Sequence, residues 1–211
     1  MIDVKSRLRV ARGIGKTETD ASIEVFERLN RRGHSECPPA FVSDGWGGIR
    51  EALIEVYGKV PEYSGHGRPP TKKRAQPGWQ YLQVIKQRNQ KGHVTGTKVK
   101  VIFGDEEEVL EELGHTTSYV ERTHLTMRQF SGRLVRKGLG FSKALGMHKA
   151  SAVLEDIFYN FVRPVKTLRV EVFNTPKRRW MPRTPAMAAG ITDHLWTFKE
   201  LFTTLIVANN T

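Results

Sequence analysis

Apolar positions recur at helical spacing between residues 19 and 32, where Ile23, Phe26 and Leu29, with Val25 beside them, make one face. Thr19 or Asp20 is the expected cap, and Gly33 follows a basic last turn. After Pro38-Pro39 the short apolar run AFVSD ends at Asp44, the pattern of a buried strand in a partly parallel sheet. Gly45-Trp46-Gly47-Gly48 then turn the chain into a second helix over residues 49–57. Residues 60–77, rich in Pro, Gly and basic side chains, carry no periodicity and read as a loop. The runs WQYLQVIKQRNQ and VTGTKVKVIFG alternate apolar and polar residues, which predicts two strands joined as a hairpin around residues 89–92. They lead into an acidic helix, DEEEVLEELG.

The second half is helical in pattern. Residues 119–137 contain no proline, and Ser118 is a suitable cap for one long helix. Val120, Met127 and Leu134 repeat every seven residues as an apolar stripe, and Glu121, Leu125 and Arg128 share the face beside it. In FSKALGMHKASAVLEDIFYNFVRP, packing is expected from Ala152, Leu154, Ile157, Phe158 and Phe161, with Pro164 as the stop. A basic, proline-rich segment and a short closing helix follow. At the other end, MIDVKSRLRVARGIG reads as the tail of one strand, a turn and a second strand. Strands alternating with helices over short connections define an α/β layer architecture.

Charge sharpens this picture more than composition does. The chain has 211 residues, 38% hydrophobic and 27% charged, which suits a globular protein with a full core. One cysteine, Cys37, excludes an internal disulfide and a cysteine-rich zinc site, and fits a reducing compartment. The net charge is +12. Residues 68–100 hold nine Lys or Arg and no acid, and residues 121–183 hold 14 basic and four acidic residues. Two such blocks point to a polyanionic partner, and no basic amphipathic anchor points to a membrane.

Within a basic chain, isolated carboxylates on separate elements draw attention. Asp44 closes a strand, and in α/β sheets ligands gather at the carboxyl ends of strands. Glu121 lies in the first turn of the later helix, with 76 residues between the two. Two-metal phosphoryl chemistry needs hard oxygen ligands, which Asp and Glu supply and Lys or Cys do not. Arg128, two turns below Glu121, is placed to meet phosphate. Read alone, Asp44 could equally cap the next helix, and Glu121 could simply favour the helix dipole.

Three blocks carry a resemblance: VSDGW at 42–46, TSYVERTHLTMRQFSGRLVRKGLGFSKALGMH at 117–148, and RTPAMAAGITDHLWT at 183–197. With them the chain resembles the catalytic domain of DDE transposases of bacterial and archaeal insertion sequences, in particular the insertion-sequence-one group. The resemblance implies a ribonuclease H-like mixed sheet flanked by helices. It implies a catalytic domain over residues 1–163 and a basic C-terminal tail over 164–211. It makes Asp44 and Glu121 the second and third members of a metal-binding triad for Mg²⁺, with Mn²⁺ as an alternative. Arg128, seven residues after Glu121, matches the basic residue associated with transposon-end DNA; His124 stands where Asn is usual. Arg133, Arg136, Lys137 and Lys143 are expected on phosphates. The implied partners are DNA, as element ends and target, and further copies of the chain as a homodimer or larger assembly at the cytoplasmic nucleoid.

The first acid of the triad has no match. Asp3 reads as a strand-end residue before a turn, with residues 8–13 as the third strand of the sheet and 2–4 as the tail of the second. On that counting the first catalytic Asp belongs upstream of Met1, so the chain is expected to be N-terminally truncated and, by itself, to carry out little or no strand transfer. The alternatives are a catalytically dead DNA-binding remnant and a stand-alone ribonuclease H-type nuclease.

Other candidates are weaker. His66, His93, His115, His124, His148 and His194 lack zinc-site spacing. Cys37 has no activating neighbour in sequence. The acids between 105 and 112 read as a solvated helix face, and at least two of Trp79, Trp180 and Trp196 as packing residues.

Overall fold

The computed structural model describes every residue except 115–116, 136–137, 174–178 and 209–211, and the side chains of 205–208. The chain divides into two units, residues 11–118 and residues 1–10 with 119–211. It is a mixed α/β protein.

In the first unit, Thr17 and Asp20 form a capping box in which each side chain accepts from the other's backbone N–H. This starts helix α1, Glu18–Arg31, a few residues earlier than a cap at Thr19 or Asp20 predicts. Strand β1, Phe41–Asp44, follows as expected, then helix α2, Gly48–Tyr57. Strands β2, Tyr81–Arg88, and β3, Val94–Phe103, make the anticipated hairpin, closed by Asn89 N–H donating to His93 O at 3.0 Å. The sheet runs β1-β2-β3, with β1 parallel to β2 and β3 antiparallel to it.

Alternation along these strands separates two cores. Phe41 and Tyr81 stack at 4.2 Å on one face, toward α1 and α2. Six aromatic rings close a circuit there: Phe26, Phe41, Tyr81, Phe103, Trp79 and Tyr57, with neighbouring centroids 4.2–6.4 Å apart. Offset and edge contacts of this kind add to the burial of large rings. Burial, then the nearby Cys37, pushes the Tyr57 hydroxyl up to about 12. On the opposite face, Leu82, Val84 and Val109 pack with Val42, Val99, Leu110 and Leu113. Val109 and its neighbours come from helix α3, Glu106–Leu113, capped by Asp105 and ended by Gly114 at φ 69°. Its acids face solvent, as the sequence predicts.

The second unit contains helix α4, Ser118–Phe130, and helix α5, Leu145–Ile157, which continues as a π-helical turn over Phe158–Val162. A small hairpin joins β4, Val170–Glu171, to β5, Trp180–Met181; helices α6, Pro185–Ala188, and α7, Phe198–Ala208, follow. Phe130, Phe158 and Phe198 pack in series, with centroids 6.4 and 5.3 Å apart. Trp196 lies on Phe161 at 4.5 Å, and Trp79 is buried in the other unit, so these two are packing residues. Trp180 is partly exposed beneath Arg169 and Arg179.

Three expectations need correction here. Residues 8–13 do not form a strand; the N-terminal segment has the single bridge Ile2–Arg9. The side chain of Asn160 replaces a neighbouring strand, accepting from Arg9 N and donating to Arg9 O, each at 3.0 Å. Helix α4 stops at Phe130 because Ser131 adopts extended angles (φ −124°, ψ 106°) and a short 3₁₀ turn, Gly132–Leu134, succeeds it. Serine and glycine both lower helix propensity. Leu154 is exposed, and the buried positions around it are Ala152, Tyr159 and Asn160.

Arg9 anchors this second unit. Its guanidinium, 3% exposed, bonds Glu155 at 2.9 Å and Asp156 at 3.1 Å, and lies 4.0 Å over the Tyr159 ring. Removing one partner of a buried ion pair strands the other's charge. Arg9→Ala should therefore cost about 3–5 kcal/mol in urea unfolding. Breaking the exposed Arg179–Glu171 pair should cost about 0–1 kcal/mol. Equal losses would contradict this assignment.

Candidate nucleic-acid interface and carboxylate positions

Asp44 stands exposed at the carboxyl end of β1, beside the parallel strand β2. Among the described residues its carboxylate accepts one hydrogen bond, a long one from Trp46 N–H at 3.4 Å. The turn beneath it is held from the core. Ser43 Oγ donates to Asp44 O at 2.7 Å and shares a 2.9 Å bond with Tyr81 Oη. Gln83 Nε2 donates both to Tyr81 Oη at 2.8 Å and to Trp46 O at 3.1 Å. Burial raises the Tyr81 hydroxyl; the bonds to Ser43 and Gln83 lower it, the Asp44 charge raises it, and the net shift is upward. Tyr81 therefore stays protonated and able to donate. An added Cβ at Gly48 would sit 2.3 Å from the Trp46 ring, so the ring would have to move.

Glu121 lies exposed in the first turn of α4. Thr123 is the buried residue of that helix, and its side chain lies beside the Tyr159 hydroxyl. The apolar stripe seen in sequence therefore underlies only part of the packing. Burial raises Tyr159, the charges of Arg9, Arg163 and Arg7 oppose that, and the net shift is upward. Arg7 stacks on Tyr119 at 3.3 Å, and Arg163 on Phe130 at 4.4 Å. Asp44 and Glu121 belong to different units.

Asp3 caps a turn. It accepts from Ser6 N at 2.7 Å and from Ser6 Oγ, while Arg7 at φ 61° turns the chain back. Burial raises its carboxyl, and the Ser6 bonds with the Lys5 backbone outweigh that, leaving it lowered.

The basic residues form the third component. Arg128 ends α4. Arg133 and Lys143 line a shallow groove of about 670 Å³ between the end of α4 and the start of α5. Arg133 Nη1 donates to Ser142 Oγ at 3.0 Å, bracing one wall. Arg136 and Lys137 lie outside the described residues. Phe130, Phe141 and Met147 add exposed apolar surface to the groove, for which the sequence pattern gives no signal.

Among the described residues no three His, Cys, Asp or Glu side chains gather to hold a metal. No helix among them is long and apolar enough to cross a membrane. No protein-family model, curated protein or solved structure matches the chain.

An exposed imidazole adds a pH-dependent contact. His194 Nδ1 meets Asp193 Oδ1 at 2.6 Å, and its Nε2 meets Glu200 Oε1 at 3.1 Å. The Asp193 bond, then the Glu200 bond, raise its pKa above the ordinary 6.5. A raised folded value means the pairing is complete below pH 6.5 and disappears as pH rises through the folded value. The His194 ring-proton titration followed by NMR should have its midpoint above 6.5, and Asp193→Asn with Glu200→Gln should bring it back. A wild-type midpoint at or below 6.5 would contradict the pairing.

Proposed function

We propose that the chain is a transposase of the DDE type, built on a ribonuclease H-like sheet, which nicks the ends of an insertion sequence and joins the freed 3′-OH to target DNA. The observation that carries this reading is Asp44. It is an exposed carboxylate at the carboxyl end of a parallel strand, held by a turn that the core fixes through Tyr81 and Gln83. Glu121, exposed at the start of α4 in the block that resembles the family, is its counterpart.

Hard carboxylate oxygens suit Mg²⁺ or Mn²⁺, so the donor chemistry of Asp44 and Glu121 fits the cations that the family uses. When bound, such cations supply Lewis-acid stabilisation of the oxygens exchanged at phosphorus. The other tasks fall to the chain's own side chains. Arg128, Arg133, Lys143 and the Arg136-Lys137 pair hold phosphates, each contact adding salt-sensitive, sequence-independent affinity. Ser43 and Tyr81 keep the Asp44 turn in place. Pairing of two element ends calls for a homodimer or larger assembly on DNA.

The test is Mg²⁺-dependent nicking of DNA carrying the terminal inverted repeats. Wild type should nick weakly, because one acid of the triad has no match in the chain, and Asp44→Ala and Glu121→Ala should each abolish that activity while still binding DNA. Equal binding by all three with no cutting would replace this reading with that of a DNA-binding remnant. Equal cutting of DNA without inverted repeats would favour a stand-alone nuclease. Arg128→Ala should weaken binding across sequences and reduce the salt slope by about one.

A further inference from the structure

The groove between α4 and α5 combines two surfaces that duplex binding alone does not need. Its lining includes the cations Arg133 and Lys143. Its lining also includes Phe130, Phe141 and Met147, which are 54%, 59% and 59% exposed. Phe130 is covered in part, by Phe158 and by Arg163 over its ring, but Phe141 has no ring or cation contact among the described residues and its apolar face is open to water. No acid lines the groove, and from Arg122 through Leu154 the sequence contains no Asp or Glu at all. The same stretch has seven Lys or Arg. The occupant must therefore be anionic and must also offer flat apolar surface.

An unstacked nucleotide meets both demands. In a duplex the base faces are covered by their neighbours, and only phosphates and base edges are available. In a single strand every base has a free face that can stack on an aromatic ring, while the backbone runs along the cations. We infer that the groove lined by Phe130, Arg133, Phe141, Lys143 and Met147 binds single-stranded nucleic acid, with an unpaired base on the Phe141 ring and phosphates on Arg133 and Lys143. This deepens the DNA-processing reading and rests on it, because it names the form of DNA that this face selects. Arg133 is positioned for the task by its bond to Ser142, which ties the guanidinium to the segment carrying Phe141 and Lys143. The groove's size lies within the range of ordinary small-ligand sites, enough for one nucleotide at a time.

The experiment measures binding in EDTA by fluorescence anisotropy, using a labelled single strand of roughly 15 nucleotides and a blunt duplex of the same sequence. Phe141→Ala should weaken single-strand binding about 5- to 100-fold and alter duplex binding less than about twofold. Phe141→Trp should keep single-strand affinity, and the new indole should be quenched when the strand binds. Arg133→Ala should weaken both ligands. Phe141 is largely exposed, so its replacement leaves the core intact.

Unchanged single-strand affinity in Phe141→Ala, or equal loss on both ligands, would overturn the inference. So would a change in oligomeric state by light scattering with nucleic-acid binding unaffected, which would assign the groove to a second copy of the chain. Because no metal is present, failure here is separate from failure of the nicking assay, and either can occur alone.

Discussion

The ring of six aromatic side chains sets the geometry of the sheet unit. Phe41, Tyr81 and Phe103 occupy paired positions on three adjacent strands, and their rings sit on the same face. Phe26 and Tyr57 bring in the two helices, and Trp79 closes the circuit from the segment before β2. A one-residue slip of any strand would carry its ring to the opposite face and break the circuit. The register of β1 is thereby fixed, and with it the point at which Asp44 leaves the sheet.

Tyr81 links that core to the surface. Its ring stacks on Phe41, while its hydroxyl joins Ser43 and Gln83 in a small polar network under the Asp44 turn. A buried polar network of this kind is favourable only when its members are satisfied. Here the satisfaction is directional: Gln83 reaches the Trp46 carbonyl and Ser43 reaches the Asp44 carbonyl, so both sides of the turn are fastened. The exposed carboxylate is consequently a fixed feature and not the end of a loose loop. That is the physical basis for assigning it a chemical role.

The sheet unit was largely legible in the sequence because its signals are local. Alternation over 79–90 and 94–104, the run ending at Asp44 and the capped acidic helix each follow from short-range rules. The second unit was less so, since its organising contacts join residues far apart in sequence. Arg9 pairs with Glu155 and Asp156 and presents its backbone to Asn160 across about 150 positions, and nothing near Arg9 announces this. An arginine in an alternating run reads as solvent-facing, yet here it is buried because two acids and a tyrosine ring accept it. The same separation hides Thr123, whose small polar side chain gives no periodic signal but meets the Tyr159 hydroxyl. Of the candidate site, Asp44, Glu121, Arg133 and Lys143 could be selected by residue type and pattern. Phe130 and Phe141 could not, because an exposed ring and a packed ring look alike in sequence.

The central claim is that Asp44 and Glu121 are the cation-holding carboxylates of a DNA-processing chain. Iron-mediated cleavage of the protein backbone tests it most directly. Fe²⁺ occupies Mg²⁺ sites of hard oxygen ligands and, with ascorbate and peroxide, cuts the polypeptide close to where it sits. In the presence of DNA, cuts are predicted next to residues 44 and 121, suppressed by excess Mg²⁺ and absent from the Asp44→Ala and Glu121→Ala variants. Cutting confined to the acidic helix at residues 105–112, or cuts unaffected by those substitutions, would contradict the account.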